Sequence, residues 1–310
     1  MHFFDAAATR AALPFETLIA ALRGLFVQGC EVPLRHTHTL VSPEGGGGTL
    51  LIMPAWLPGR FLGIKTVSVF PGNAARGLPG LHATYTLYDA ATGQPLAQMD
   101  GDQITARRTA AASALAASML ARPDARRLLV VGAGRVAALL PAAYRAVRPI
   151  EQVEVWARRP AQAEALAARW RVEGLQARVA ADLAPAVAAA DVISCATLAT
   201  EPLVQGAWLR PGSHLDLIGG FTPQMREADD ACFRGAAVYI DTDEALQKSG
   251  DLLGPLSRGV FAAADVRGTL AALCRGTAPM RPSAGERTVF KSVGNALEDL
   301  AAAMLVWRAR

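Results

Sequence analysis

The sequence predicts an α/β protein: a doubly wound parallel sheet inserted into a smaller α+β sheet domain. Three observations predict it. Alternating or β-branched runs dominate the first hundred positions. From Arg127 onward, short apolar strands alternate with helical stretches, the pattern of right-handed crossovers in a parallel sheet. Between the first of those strands and the helix after it stands V-V-G-A-G-R-V-A, Val130–Ala137, a glycine turn able to receive a pyrophosphate.

The elements follow in order. An amphipathic helix spans about Leu13 to Gly29 and stops at that glycine. Five strands are predicted in L-R-H-T-H-T-L-V, T-L-L-I-M-P-A-W, F-L-G-I-K-T-V-S-V-F, L-H-A-T-Y-T-L-Y and P-L-A-Q-M-D. P-E-G-G-G-G, F-P-G-N and D-A-A-T-G separate them and carry turn chemistry, the glycine tract reading as a hairpin loop, so the sheet is mostly antiparallel. A long Ala-rich helix runs from Asp102, its predicted N-cap, to about Ala121. Strands R-L-L-V-V-G, V-E-V-W-A-R, A-R-V-A, D-V-I-S-C-A-T, S-H-L-D-L-I-G and V-Y-I-D-T then alternate with helices reaching Val147, starting at Pro160 and covering Leu183–Ala190. R-T-V-F-K-S-V-G and a C-terminal helix return the chain to the first domain.

Composition bounds the function. The 310 residues are 52% hydrophobic and 19% charged, which excludes a disordered chain and leaves ample material for two cores. No apolar run approaches the ~18 residues of a membrane span, and M-H-F-F-D-A-A-A-T-R does not read as a signal peptide. Cys30, Cys195, Cys232 and Cys274 are scattered with no C-x-x-C pair, as expected of reduced thiols in a cytoplasmic protein. The net charge of +4 comes with basic pairs at Arg107–Arg108, Arg126–Arg127 and Arg158–Arg159, far apart and without interleaved aromatics. That argues against nucleic acid and for solvated surface with a few anion-binding arginines.

Gly132, Gly134 and Ala137 fit G-x-G-x-x-A. The first glycine makes the tight turn, the second lets backbone approach a pyrophosphate, and the small third residue lets helix pack on strand. With Arg135 and Val136 they form the predicted cofactor cradle at a helix N-terminus. The second strand ends V-E-V-W-A-R-R-P, where an NAD-specific site would carry a carboxylate for the ribose 2′-OH. Arg158 and Arg159 stand there instead, suited to a 2′-phosphate, so NADP(H) is predicted over NAD(H). For a small anion beside a nicotinamide, the candidates are Arg35, Lys65, Thr84 and Arg108: two arginines to grip a carboxylate and a lysine able to move a proton. The sequence alone does not bring them together.

At these residues the chain resembles the ornithine cyclodeaminase/mu-crystallin family. The carriers are P-x-R at Pro33–Arg35, M-P-A at Met53–Ala55, G-I-K, M-D-G-x-x-I-T-x-x-R-T-A-A at Met99–Ala111, V-V-G-A-G, A-T-E-P at Ala199–Pro202, P-G-S-H, S-G-D-L at Ser249–Leu252 and F-K-S-V-G at Phe290–Gly294. The resemblance implies a homodimer whose sheet domains pair into a barrel-like layer. Residues 1–115 with 288–310 would form the substrate-binding and dimerisation domain, and 116–287 the Rossmann domain. It further implies that Arg35 and Arg108 hold the substrate carboxylate, that Lys65 handles the proton at the reacting C–N bond and that Thr84 supports the site. Thr109 would serve the cofactor phosphates and Thr197 would lie near the cofactor.

Two departures separate the chain from true ornithine cyclodeaminases. Ile52 stands where they carry a Glu before Met-Pro, and Phe221 where they carry an Asp after Gly-Gly. Neither could balance a second ammonium. A-T-E-P, Arg226–Asp230, S-G-D and Arg158 look instead like the mu-crystallin branch, which implies NADPH-dependent reduction of a cyclic ketimine such as pyrroline- or piperideine-2-carboxylate. The alternatives are ornithine cyclodeamination, with Asp216 replacing a lost carboxylate, and a non-catalytic protein that binds NADPH and a small ligand. His36 and His38 share a strand face but lack a third ligand, so no metal is predicted. His82 and His214 read as satisfied strand histidines. Asn73 shapes its turn or touches substrate, and Lys291 receives no role.

Overall fold

The computed structural model describes residues 1–42, 47–281 and 283–310. The chain divides into two units, Met1–Arg108 with Asn295–Arg310, and Thr109–Gly294. Residues 43–46 of the predicted hairpin loop lie outside the described residues.

In the first unit β1 (His2–Phe4) leads into α1 (Ala6–Ala11), where Asp5 caps the helix by accepting from Ala8 N at 2.8 Å. Helix α2 (Phe15–Gln28) buries Phe15, Leu18, Ile19, Leu22, Leu25 and Phe26, the spacing of one helical face. Strands β2 (His36–Val41), β3 (Gly47–Leu57), β4 (Phe61–Val69), β5 (Leu81–Asp89) and β6 (Pro95–Asp100) form an antiparallel meander, and β1 adds in parallel beside β6. Pro54 sits in β3 beyond the last residue paired with β2, where its missing N–H is tolerated. Asn73 donates from Nδ2 to Pro79 O at 2.9 Å and holds the loop between β4 and β5. Helix α3 (Gly101–Leu120) starts one residue before Asp102, and its cap is Asp100, not Asp102: Asp100 Oδ1 accepts from Gln103 N at 2.7 Å.

The second unit contains β7 (Arg127–Val131), α4 (Leu140–Arg145), β8 (Gln152–Trp156), α5 (Pro160–Val172), β9 (Gln176–Val179), α6 (Leu183–Ala189), β10 (Val192–Cys195), β11 (His214–Leu217) and β12 (Ala237–Ile240). After them come α7 (Ala245–Lys248), α8 (Gly250–Ser257), β13 (Val266–Thr269), α9 (Leu270–Arg275) and β14 (Thr288–Lys291). All eight strands pair in parallel in the order β13-β12-β14-β11-β10-β7-β8-β9. The order reverses between β7 and β10, the switch point where a doubly wound sheet opens a crevice at its carboxyl edge. Val130, Val131, Ile193 and Leu217, all buried, show why these strands read as continuous apolar runs.

One assignment changes. The stretch Thr288–Lys291 does not return to the first domain but inserts as β14 between β11 and β12, bonded on both sides. Four buried residues with parallel partners left and right could not satisfy their backbone groups elsewhere.

Helix α10 (Ala296–Arg308) then closes the first unit, packing on α2, β3, β4 and β5. The strand register decides which side chains it meets. Met53, Lys65, Tyr85 and Met99 form one cross-strand row, all buried toward α10. The next row, Ile52, Thr66 and Thr84, points to the opposite face because side chains alternate along a strand. Among the described residues, no helix is long and apolar enough to cross a membrane.

Candidate active site

The first unit holds a cluster of buried charge. Asn295 caps α10 by accepting from Leu297 N, and Glu298 and Asp299 occupy its first turn, where the helix dipole favours carboxylates. Asp299 Oδ2 lies 2.7 Å from Lys65 Nζ, and Asp299 Oδ1 accepts from Arg108 Nε at 2.8 Å. Arg108 Nη1 donates to Glu298 Oε2 at 2.6 Å. Lys65 is 1% exposed and both carboxylates are fully buried. An isolated ion in such surroundings would be prohibitively costly, so the group persists only as a mutually paired set.

The pairing sets the proton affinity. Burial lowers the Lys65 ammonium from its usual range to about 8; Asp299 pulls it upward, while Arg108 and Arg35 push it down. Burial works to raise the Asp299 carboxyl, but Arg108 and Lys65 outweigh it and hold it below the carboxylate range. For Arg108, the two carboxylates overcome desolvation and keep the guanidinium charged. Lys65 is therefore mostly protonated near neutrality, yet can release its proton at modest cost, the property of a general acid.

Arg35 precedes β2, is half-buried and lies close enough to act on Lys65. Arg108 differs from the sequence reading. Its Nε is committed to Asp299 and one Nη1 N–H to Glu298, so Nη2, the nitrogen with no carboxylate contact, is left for a further anion. Thr84 is not brought to the cluster: it is exposed on the opposite face of the sheet. Ile52 lies on that same face, so its apolar side chain does not adjoin Lys65.

The second unit carries a dinucleotide-type edge. Gly132 follows β7 with φ 118°, and a Cβ there would stand 2.6 Å from Ala196 O. No other residue could bring the turn so close to the end of β10. Gly134 and Arg135 are exposed, Val136 is half-buried and a Cβ at Gly134 would meet nothing within 4 Å, which leaves the backbone approachable by a phosphate. The segment after the turn differs from the predicted α-helix: it begins as a 3-10 turn over Ala137–Leu139 and becomes α-helical only in α4. Pro141, fixed near the start of α4, accounts for the late onset. Beyond β8, Arg158 and Arg159 are exposed, with Arg159 Nε donating to Gln162 Oε1 at 3.1 Å. Thr109 is half-buried in α3, one position after Arg108.

At the ends of β10 and β11 stands a network that sequence reasoning missed. Glu227, fully buried, accepts from Thr197 N at 2.7 Å, Thr197 Oγ1 at 2.8 Å and Gly219 N at 2.7 Å. Asp251 Oδ1 accepts from Glu227 N and Ala228 N, and Asp251 Oδ2 lies 3.2 Å from Lys291 Nζ. Burial pushes the Glu227 carboxyl up to about 7, with Lys291 opposing it and Asp251 adding to it. Lys291 thus has a structural partner inside the sheet edge.

These observations fit a nicotinamide dinucleotide in the second unit: a switch point, a glycine turn that tolerates no Cβ and an open backbone beside it. They coincide with comparison to known proteins. The ornithine cyclodeaminase/mu-crystallin family model matches residues 16–309. The chain belongs to that family. It is 48% identical over 286 residues to the Δ1-pyrroline-2-carboxylate reductase of Paracoccus denitrificans, covering 89% of this chain and 90% of that protein. It is 36% identical over 276 residues to the ketimine reductase mu-crystallin of Mus musculus, covering 88% and 84%. Among solved structures, the Thermococcus litoralis Δ1-pyrroline-2-carboxylate reductase in complex with NADH and L-proline superposes with a TM-score of 0.93 at 32% identity, covering 99% and 97%.

Two further sequence readings, on Asp216 and His214, are resolved within this family fold. Asp216 cannot replace a substrate-facing carboxylate: it is fully buried in β11 and accepts from Ser113 Oγ at 3.2 Å, Tyr144 Oη at 2.8 Å and Ser194 Oγ at 2.5 Å. His214 is buried and bonded through Nδ1 to Thr288 Oγ1, but its Nε2 has no partner among the described residues. His36, His38 and His82 are exposed on strands, and the described residues hold no group of three potential metal ligands.

Proposed function

We propose that this member of the ornithine cyclodeaminase/mu-crystallin family reduces the C=N bond of a small cyclic 2-imino acid of the pyrroline- or piperideine-2-carboxylate type, with NADPH as cofactor. The observation that carries the reading is Lys65: a buried lysine with a proton affinity near 8, held between one carboxylate and two arginines. A reductase of an imine needs one proton for nitrogen and one positive pocket for a carboxylate, and this cluster offers both.

The nicotinamide, when bound, supplies the hydride to the imine carbon. Lys65 delivers the proton to the imine nitrogen, directly or through a water it holds. Arg35 and the remaining Nη2 of Arg108 orient the carboxylate, and Asp299 keeps Lys65 charged until the proton leaves. Gly132, Gly134, Arg135 and Val136 receive the pyrophosphate, with Thr109 beside the phosphates and Thr197 at the nicotinamide side. Arg158 and Arg159 meet the 2′-phosphate, with no carboxylate at that strand end to repel it. Thr84, being on the far face, takes no part in proton transfer.

The protein acts as a homodimer in this reading. The face opposite Lys65 carries Ile52, Pro54, Trp56, Leu62 and Ile64, all half-buried in the single chain, an apolar patch suited to pairing with a second copy.

The test is oxidation of NADPH with pyrroline-2-carboxylate, piperideine-2-carboxylate, or pyruvate plus ammonia, beside ornithine with NAD+. Turnover of a cyclic imine, with no ammonia released from ornithine, is expected. Release of ammonia and proline from ornithine without net change of cofactor would overturn the proposal.

A further inference from the structure

We propose that Glu227 is a positioning residue of the dinucleotide site, joining the carboxyl ends of β10 and β11 into one rigid lip that seats the nicotinamide half of the cofactor. The inference rests on the dinucleotide reading above and deepens it.

In a doubly wound sheet, one mononucleotide half lies over each side of the switch point. Here β7, β8 and β9 form one side, ending in the glycine turn and Arg158, and β10, β11 and β14 form the other. Glu227 acts wholly on the second side. One oxygen takes both donors of Thr197, the second residue after β10; the other takes Gly219 N, the second residue after β11. The two loop ends touch directly, since a Cβ on Gly219 would lie 1.8 Å from Thr197 O. Thr197 in turn adjoins the glycine turn, with its Cγ2 3.2 Å from where a Gly132 Cβ would stand. Glu227 is thus linked by contact to the pyrophosphate end of the site.

Two features suit the lip to a ligand. Leu198, which follows Thr197, and Phe221, two residues past Gly219, are 72% and 46% exposed, apolar groups presented to solvent beside the tethered loop ends. The carboxylate is itself braced from behind, because Asp251 accepts its backbone N–H and pairs with Lys291. A neutral amide could not do the same work: it has one accepting oxygen, and its NH2 would face a donor.

The experiment compares Glu227→Gln with wild type in two binding measurements. One uses whichever of NADPH or NADH the wild type binds more tightly; the other uses the matching adenosine fragment, 2′,5′-ADP or ADP. Glu227→Gln should weaken the dinucleotide roughly tenfold or more while leaving the fragment within about twofold, since the buried bonds to the second carboxyl oxygen are lost only on the nicotinamide side. Thr197→Val, which removes one donor and keeps the shape, should give the same split with a smaller amplitude, and serves if Glu227→Gln does not fold. Equal weakening of dinucleotide and fragment would mean a merely structural role and would overturn the inference, as would unchanged binding of both. Failure of the wild type to bind dinucleotide or fragment would instead overturn the cofactor reading on which it stands.

Discussion

Lys65 Nζ lies 2.7 Å from Asp299 Oδ2, and neither side chain reaches solvent. The two residues belong to elements at opposite ends of the chain, β4 and the first turn of α10. Because burial lowers the lysine and Asp299 raises it, the ammonium titrates at about 8 instead of its usual 10.5. A general acid works only while protonated. Turnover in the direction of imine reduction should therefore be sustained below about pH 8 and fall as pH rises through it, in a profile of kcat against pH. An alkaline limb near 10.5, the value of an unperturbed lysine, would show that Lys65 does not govern the rate.

Removing the carboxylate should move that limb. In Asp299→Asn the attraction that favours the charged lysine is gone, while burial, Arg108 and Arg35 still oppose it. The limb should shift down by roughly one to three pH units, and rates at pH 8 should fall about tenfold or more. Loss of one partner from a buried ion cluster also costs roughly 3–5 kcal/mol of stability. Glu298→Gln, which removes a carboxylate paired with Arg108 and leaves Asp299 on Lys65, is the companion variant: its limb should stay near 8 while KM for the imino acid changes.

Replacing the lysine separates chemistry from cofactor binding. Lys65→Met keeps most of the apolar stem and removes the proton. It should lower kcat by roughly 10²–10⁴-fold, the usual contribution of a positioned acid. Dinucleotide affinity should be unchanged, because the glycine turn and Arg158 belong to the other unit. Near wild-type kcat in this variant would remove Lys65 from the mechanism.

In the proposed reading, the arginines beyond β8 set nucleotide choice. Arg158→Ala with Arg159→Ala should weaken NADPH roughly tenfold or more through loss of charge-assisted bonds to the 2′-phosphate, and leave NADH nearly unchanged. Kd values for both cofactors on both proteins decide the matter. If NADH already binds wild type as tightly as NADPH, the predicted preference is wrong.

What the sequence disclosed and what it hid follow from distance along the chain. The glycine turn was legible because strand, turn and the onset of helix lie within a dozen residues and each glycine has a local reason. Lys65, Arg35 and Arg108 could be chosen by chemistry, and no local rule brings them together. Their carboxylate partners were invisible: Asp299 is 191 positions from Arg108, and neither Glu298 nor Asp299 was singled out in the C-terminal helix. The signal was there in one respect, since two adjacent acids in so apolar a helix have little polar face to occupy. Thr84 was misplaced because alternation assigns faces only after the register is known, and pairing with Thr66 settles it. Thr288–Lys291 was assigned to the wrong domain because a four-residue strand, Thr-Val-Phe-Lys, carries no mark of the sheet it will join. Glu227 escaped because its partners, Thr197, Gly219 and Asp251, are gathered only by the crossover loops.

Asp216 provides a stability prediction with a defined sign. Burial raises its carboxyl from 3.8 to about 6, against three hydroxyl donors and Lys291 that oppose the shift. A carboxyl bound more tightly to its proton in the folded state stabilises the fold fully below the unfolded pKa. That contribution is lost as pH rises toward the folded value, here between about 4 and 6. Its size is on the order of 3 kcal/mol. In Asp216→Asn the side chain stays neutral at every pH, so the difference between wild type and variant isolates this group. Denaturant unfolding at pH 4, 5, 6 and 7 should show wild type at its greatest advantage at pH 4, with the gap narrowing toward pH 7. A gap that widens with pH would mean that Asp216 is ionised in the fold, with Ser113, Tyr144 and Ser194 stabilising its charge more than burial opposes it.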